Sequence, residues 1–318
     1  IGLVRKVREL RPELPRALSR VVLELMAKAA EDRYQSADGV VDDLQRIRRA
    51  LADGSLAEFE PTGHAVKPVF MLSERLYGRE LQLEDLLAAF ERVADGDCEL
   101  LLVTGPAGIG KTMLVNEVHK PIVAQRGSFT SGKYDLYGRS RPLSALVDAL
   151  SGLLRDVLAS DDEELARWRE SILDALGDEA AALADVLPEL GHVLGPLPPV
   201  DELHPNQARQ RFDRLMGAFL RLFATDDRPL VVFLDDLQWV DPASLRLLSE
   251  LVADPETRNL LFIAAYRDDE VDAAHPLSVA LAELGSSRVN SLALGPLAED
   301  DIAELVADST ERELWDVT

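Results

Sequence analysis

The sequence predicts an α/β protein with a mostly parallel, five-stranded sheet, helices on both faces and a helical insertion, preceded by a short all-helical unit. Three observations lead there. Short apolar runs alternate with helical periods from about residue 75 onward, the pattern of a parallel sheet covered on both sides. A glycine-rich stretch, Gly105-Pro106-Ala107-Gly108-Ile109-Gly110-Lys111-Thr112, joins the first apolar run to the next helix. A later run, Pro229 to Leu234, ends in two carboxylates, Asp235 and Asp236.

The strand candidates are Glu99 to Thr104, Ser128 to Tyr134, Leu230 to Asp235, Leu260 to Tyr266 and Val289 to Leu294. Between the second and third lie helical periods over Leu143 to Leu158, Glu163 to Leu176 and Asn206 to Ala224. That is far longer than an ordinary crossover, so it reads as an insertion or a small helical subdomain. Upstream, Leu18, Val21, Val22, Leu25 and Met26 share one helical face. Ser36 is an N-cap candidate for a second helix with Ala37, Val40, Val41, Leu44, Ile47 and Leu51 on its buried side. Residues 53–74, with Pro61, Gly63 and Pro68 and no sustained period, read as a linker. The expected organisation is therefore 1–52, a linker, and 75–318, and a length of 318 residues agrees with two units.

Composition narrows the function classes. With 57 acidic against 34 basic residues, the formal net charge is -23, a field that repels nucleic-acid backbones. No nucleic-acid partner is expected, and a phosphate ligand must be held by a local arrangement that overrides the field. A single cysteine, Cys98, forbids an intrachain disulfide and suits a reducing, cytoplasmic setting. No apolar run approaches the roughly 18 residues of a bilayer span, so membrane insertion is not expected. The chain starts at Ile1 inside an amphipathic pattern, which suggests a piece of a longer protein.

The stretch from Gly105 to Thr112 fits G-x-x-x-x-G-K-[ST] and sits between an apolar strand and a helix, the context a phosphate-binding P-loop requires. Its glycines let backbone N–H groups turn inward around phosphates, and the helix N-terminus adds positive potential. Lys111 can reach the β- and γ-phosphates of a nucleoside triphosphate, and Thr112 can offer its hydroxyl to Mg²⁺. Asp235 is placed to act on the metal side and Asp236 near an attacking water. An aspartate reaches less far than a glutamate, so slow hydrolysis is expected beside firm binding. Arg267, at the end of the strand Leu260 to Tyr266, has two readings: a cation facing the γ-phosphate, or a surface arginine paired with Asp268 or Asp269. Asp241 and Pro242 read as the N-cap and first residue of a helix running to Val252, and Trp239 as a packing residue. The five histidines have no metal-ligand spacing, and no G-x-S-x-G elbow occurs.

With these elements placed, Leu76-Tyr77-Gly78-Arg79-Glu80, Asp235-Asp236-Leu237-Gln238-Trp239-Val240-Asp241 and Tyr266-Arg267-Asp268-Asp269-Glu270-Val271 together resemble STAND-type signalling ATPases, a branch of the AAA-like P-loop NTPases. The resemblance implies ATP as the nucleotide, adenine contacts from backbone around Tyr77, Gly78 and Arg79, a central P-loop strand and Arg267 as a phosphate sensor. Residues 1–52 resemble the last helices of a serine/threonine kinase C-lobe, through Leu23-Glu24-Leu25-Met26-Ala27-Lys28 and Glu31-Asp32-Arg33-Tyr34-Gln35-Ser36-Ala37. The glycine-rich loop, H-R-D and D-F-G segments of a kinase are missing, so this chain carries no kinase chemistry. The combination is similar to bacterial fusions of serine/threonine kinase, ATP-binding module and sensor histidine kinase, which implies adjoining kinase and sensor domains and a lid that begins at Gly295-Pro296-Leu297 and is truncated at Thr318.

Three functions follow, in order of preference. One is an ATP-dependent regulatory switch; another is an ATPase whose turnover drives remodelling. The last is a non-hydrolysing scaffold that binds a protein partner at the helical region 143–224.

Overall fold

The computed structural model describes residues 11, 14–26, 33–34, 37–53, 75–136, 142–201, 203–285 and 288–315. The linker expectation and the Ser36 cap lie outside these residues, as do Ala27, Lys28, Glu31, Asp32 and Gln35 of the kinase-like segment. Chain contacts divide the molecule into two units, one comprising residues 1–73 with 305–318 and the other residues 74–304.

In the first unit, α1 (Arg16–Leu25) and α2 (Ala37–Asp53) form a small seam in which Ala17, Val21 and Ile47 are buried. The Tyr34 hydroxyl donates to Asp43 at 2.8 Å, and Arg46 bonds the same buried carboxylate at 2.7 Å. The expected apolar face of α2 is wider than what is covered: Val41, Leu44 and Leu51 are exposed, as are Leu25 of α1 and Met26 just after it. Two short helices share only a narrow strip, whereas a helical period assigns a whole face.

The larger unit runs α3 (Glu80–Ala94), β1 (Cys98–Thr104), α4 (Lys111–Ala124), β2 (Ser128–Lys133), α5 (Ser144–Ala159), α6 (Asp162–Leu176), α7 (Ala180–Ala184), α8 (Pro188–Leu194), α9 (Pro205–Phe223), β3 (Leu230–Asp235), α10 (Pro242–Ala253), β4 (Leu260–Tyr266), α11 (Pro276–Leu284), β5 (Val289–Ala293) and α12, Glu299–Trp315, whose later turns pass residue 304. The sheet is wholly parallel in the order β2-β3-β4-β1-β5. All five expected strands form. The P-loop strand β1 is interior but not central; β4 is the middle strand and separates β1 from β3.

Strand alternation sorts the core into two layers. Leu100, Leu102, Val232, Leu234, Phe262 and Ala264 face one way, toward helices α5 to α10. Leu101, Val103, Val231, Phe233, Ile263 and Ala265 face the other, toward α3 and α4. The helical insertion is thus a layer of the sheet's own core: Leu150, Ile172, Leu183, Leu190 and Phe219 belong to one buried cluster with the strands. Helix α3, which the sequence reading passed over, covers the opposite face through Leu86, Phe90 and Val93. The helix after the P-loop, α4, continues through Pro121 to Ala124. Proline removes one helical hydrogen bond, but Ile122 in the next position is 1 % exposed and its packing holds the last turn in place. Among the described residues no helix is long and apolar enough to cross a membrane.

Candidate functional site

The site forms at the carboxyl ends of β1, β2, β3 and β4, where an open α/β sheet presents its loops. The loop after β1 turns back through Gly105 (φ 148°), Gly108 (φ 76°) and Gly110 (φ 101°). A β-carbon at Gly105 would lie 2.7 Å from the Leu294 carbonyl oxygen, and Gly110 occupies the left-handed N-cap of α4, so both positions favour glycine. Pro106, Ala107 and Gly108 are exposed, while Ile109 packs against the α3–α4 side of the core and anchors the loop.

Lys111, in the first turn of α4, is 8 % exposed and donates to the carbonyls of Gly105 at 2.7 Å and Pro106 at 2.9 Å. Burial lowers its pKa, and the positive charge of Arg267 acts in the same direction. The Thr112 hydroxyl donates to Asp235 at 3.0 Å, across the β4 position that separates their strands. Two hard oxygen donors side by side fit Mg²⁺, which binds few protein groups and completes its shell with phosphate and water.

Asp236 follows β3 in a left-handed conformation (φ 55°) that aspartate tolerates better than most residues. Its carboxylate has three neighbours. Lys133, at the end of β2, approaches at 2.8 Å and lies 3.4 Å from Asp235. Gln238 donates its side-chain amide at 3.0 Å, and the Arg267 guanidinium stands 3.9 Å away. Burial works against the Asp236 charge, but the hydrogen bonds from Lys133 and Gln238, with the charges of Lys133 and Arg267, outweigh it and hold the pKa below the ordinary carboxylate value. Lys133 is correspondingly raised, chiefly by its bond to Asp236.

Arg267 unites features of both sequence readings. It pairs with Glu270 at 2.6 Å, not with Asp268 or Asp269, lies 5.4 Å over the Trp239 ring, and still faces the Asp236 carboxylate. Lys111, Thr112, Asp235, Asp236 and Arg267 are therefore brought together. Tyr77, Gly78 and Arg79 connect elsewhere. Arg79 donates to the Gly295 carbonyl at 2.6 Å, and Gly78 (φ 61°) abuts the Asp301 side chain of α12. Because Leu294 bonds Thr104 at 2.8 Å, this segment joins the start of the P-loop through Leu294 and Gly295.

Sequence reasoning missed Lys133 and Gln238. The register that pairs Lys133 with Asp235 carries the signal for the first, since both stand at strand carboxyl ends. For Gln238 the only signal is its place in the turn after Asp236. The Asp241 expectation holds: its carboxylate accepts from the backbones of Ala243 and Ser244, each at 3.0 Å, and Pro242 opens α10. Cys98 is no reactive thiol, as burial pushes its pKa up to about 12.

Residues 75–263 match the family model described as AAA ATPase domain. The chain belongs to the AAA ATPase domain family. Among curated relatives it is similar to a hybrid signal transduction histidine kinase G of Dictyostelium discoideum, 32 % identical over 77 % of this chain and 8 % of that protein. It is also similar to histidine protein kinase 1 of Candida albicans, 22 % identical over 74 % of this chain and 11 % of that protein. The AAA domain chain thus spans about a tenth of the length of these relatives. Among solved structures, Cdc6p from Pyrobaculum aerophilum has a TM-score of 0.43 at 15 % identity, over 77 % of this chain and 52 % of that one.

Proposed function

We propose that this AAA domain is an ATP-binding, slowly hydrolysing regulatory module, a nucleotide-dependent switch within a multidomain signalling kinase of the cell interior. The observation that carries the reading is the grip on Asp236. A carboxylate held by Lys133 at 2.8 Å and Gln238 at 3.0 Å, with its pKa lowered, is a weak proton acceptor. Binding does not depend on that weakness. The inward-turned P-loop, Lys111 and the α4 N-terminus supply donors for phosphates, and a γ-phosphate would exchange the Lys111 bonds to Gly105 and Pro106 for its own oxygens.

Thr112 and Asp235 would hold Mg²⁺, which when bound neutralises phosphate charge. Asp236 would orient the attacking water, and Arg267 would face the transferring phosphoryl group, its position kept by Trp239 and Glu270. Tyr77 to Arg79 would border the adenine through backbone, fixed there by the Arg79 bond to Gly295. The three resembling segments favour the STAND branch and ATP over GTP. The kinase-like residues 1–52, and relatives named as histidine kinases, favour a parent protein of the serine/threonine kinase, ATPase and sensor histidine kinase type, with adjoining domains as partners.

Calorimetric titration with ATP and GTP, with phosphate release measured for the wild type, Lys111→Ala and Asp236→Ala, tests this. The expected result is ATP affinity lost in Lys111→Ala, retained in Asp236→Ala, and wild-type turnover far below a typical enzyme's roughly 10 per second. Turnover at tens per second without a partner overturns the switch, and no ATP affinity overturns the whole reading. A partner bound at 143–224 equally well by Lys111→Ala would instead favour the scaffold.

A further inference from the structure

Gln238 is 2 % exposed, yet neither end of its side chain is spent on packing. Its amide nitrogen donates to Asp236 at 3.0 Å, and its amide oxygen accepts from the backbone N–H of Arg267 at 3.3 Å. The residue sits in the single 3₁₀ turn, Leu237–Trp239, between β3 and α10, and this turn packs against β4. One planar group therefore spans the carboxylate after β3 and the main chain after β4. An amide suits both, because one end donates and the other accepts without a change of charge.

We propose that Gln238 is a positioning residue that locks the Asp236 carboxylate and the Arg267 backbone into one unit, so that engagement of Arg267 by a γ-phosphate is felt directly at Asp236. The inference rests on the ATP-site reading above. It assigns no contact between Gln238 and substrate; the residue acts through its two partners. The other charged groups near Asp236 are Lys133 from β2, Asp235 at the end of β3, Lys111 from α4 and Arg267 itself, so a change at Gln238 leaves four charges in place.

The test uses the full chain with Gln238→Met, which removes both hydrogen bonds at similar volume, and Gln238→Glu, which keeps the acceptor for Arg267 but presents a second carboxylate to Asp236. Two quantities are read: the ratio of ADP to ATP dissociation constants, and kcat against KM. Gln238→Met is expected to lower kcat about tenfold with KM changed less than about threefold. The same variant should narrow the ATP preference, since Arg267 loses its fixed backbone. Gln238→Glu is expected to keep the ATP preference, because its carboxylate still accepts from the Arg267 backbone, and to lower kcat about tenfold, because the bond to Asp236 is replaced by a like charge.

The two variants guard each other against misfolding, because glutamate is close to isosteric with glutamine. If both bind and hydrolyse ATP like the wild type, with unchanged ADP to ATP ratio and kcat, the clamp is refuted while the ATP site stands. Where wild-type turnover is too slow to follow, the ADP to ATP ratio alone decides. Failure of the wild type to bind ATP overturns the site reading and the clamp together.

Discussion

Replacing Asp241 by alanine should destabilise the α/β unit by about 3 kcal/mol, and each part of that figure comes from a named bond. The carboxylate is 7 % exposed. One oxygen accepts from the Ala243 and Ser244 N–H groups at 3.0 Å, capping α10. The other accepts from the Leu143 N–H at 3.1 Å and from the Ser244 hydroxyl at 2.5 Å. Losing an aspartate N-cap costs about 1 kcal/mol. Leaving the Leu143 donor without its charged acceptor adds about 1–3 kcal/mol, and Leu143 already has a left-handed backbone (φ 65°) that this bond helps to hold. Asp241→Asn keeps a capping oxygen but turns an amide toward two donors, so about half the loss is expected. Urea unfolding followed by Trp168 and Trp239 fluorescence measures both variants. With a slope near 3 kcal/mol per molar, the alanine midpoint should fall by about 1 M. A loss under about 1 kcal/mol for Asp241→Ala would refute the claim that this carboxylate joins α10 to the start of α5.

The remaining expectations concern the phosphate site. Gly105→Ala places a methyl group 2.7 Å from the Leu294 oxygen at φ 148°. It should lower stability by about 1–3 kcal/mol and weaken ATP binding, as thermal melts with and without nucleotide would show. Lys133→Met should cost no more than about 1 kcal/mol near neutral pH, since Lys133 is 64 % exposed and its ion pair is screened. The sign follows from the shifts: Asp236 is lowered, so its share is present above the unfolded pKa and lost as pH falls through the folded one. Lys133 is raised, so its share is present below the unfolded lysine pKa and lost as pH rises through the folded one. The difference between wild type and variant, followed by urea midpoints across pH, should be flat between those limits and vanish on the acid side; a difference that grows in acid contradicts the pairing. A chain of net charge -23 repels an anionic nucleotide at long range, so stopped-flow association with a fluorescent ATP analogue should quicken as salt shortens the screening length. Slower association at higher salt would show that the local cations control the approach.

Residues with strong local signals were legible in the sequence. The strands were found because residues such as Leu230 to Leu234 are buried on both faces and read as continuous apolar runs, and the P-loop because its backbone demands glycine at fixed spacing. What escaped depends on register or on shared coverage. Lys133 meets Asp235 and Asp236 only because β2 pairs with β3 in a register that aligns it with Asp235, which no local pattern encodes. Helix α3 was passed over since its short apolar stripe, Leu86, Phe90 and Val93, precedes a much stronger strand signal. The central placement of the P-loop strand failed for a related reason: strand order is set by crossovers, and β4, late in sequence, inserts between β1 and β3. The reach from Thr112 to Asp235 across that strand is a product of the topology.

The acidic chain and its phosphate site are reconciled by distance. Two carboxylates, Asp235 and Asp236, stand where a phosphate would add further negative charge, and three cations, Lys111, Lys133 and Arg267, surround them. With Glu270, which pairs with Arg267, three carboxylates balance three cations, so the site is locally neutral within an acidic chain, and the N-terminal end of α4 adds positive potential. On the proposed reading, a γ-phosphate and Asp236 compete for the same cations, and Arg267, at 3.9 Å from Asp236 against 2.6 Å from Glu270, is held least tightly by that carboxylate. Drawing Arg267 toward phosphate therefore breaks no close direct ion pair with Asp236, so the proposed coupling runs through the Gln238 bridge, while Lys133 at 2.8 Å would keep the carboxylate in place and weak as a base. On the proposed reading the same grip would slow proton abstraction and leave a bound triphosphate intact for longer, the property a switch needs and a motor does not.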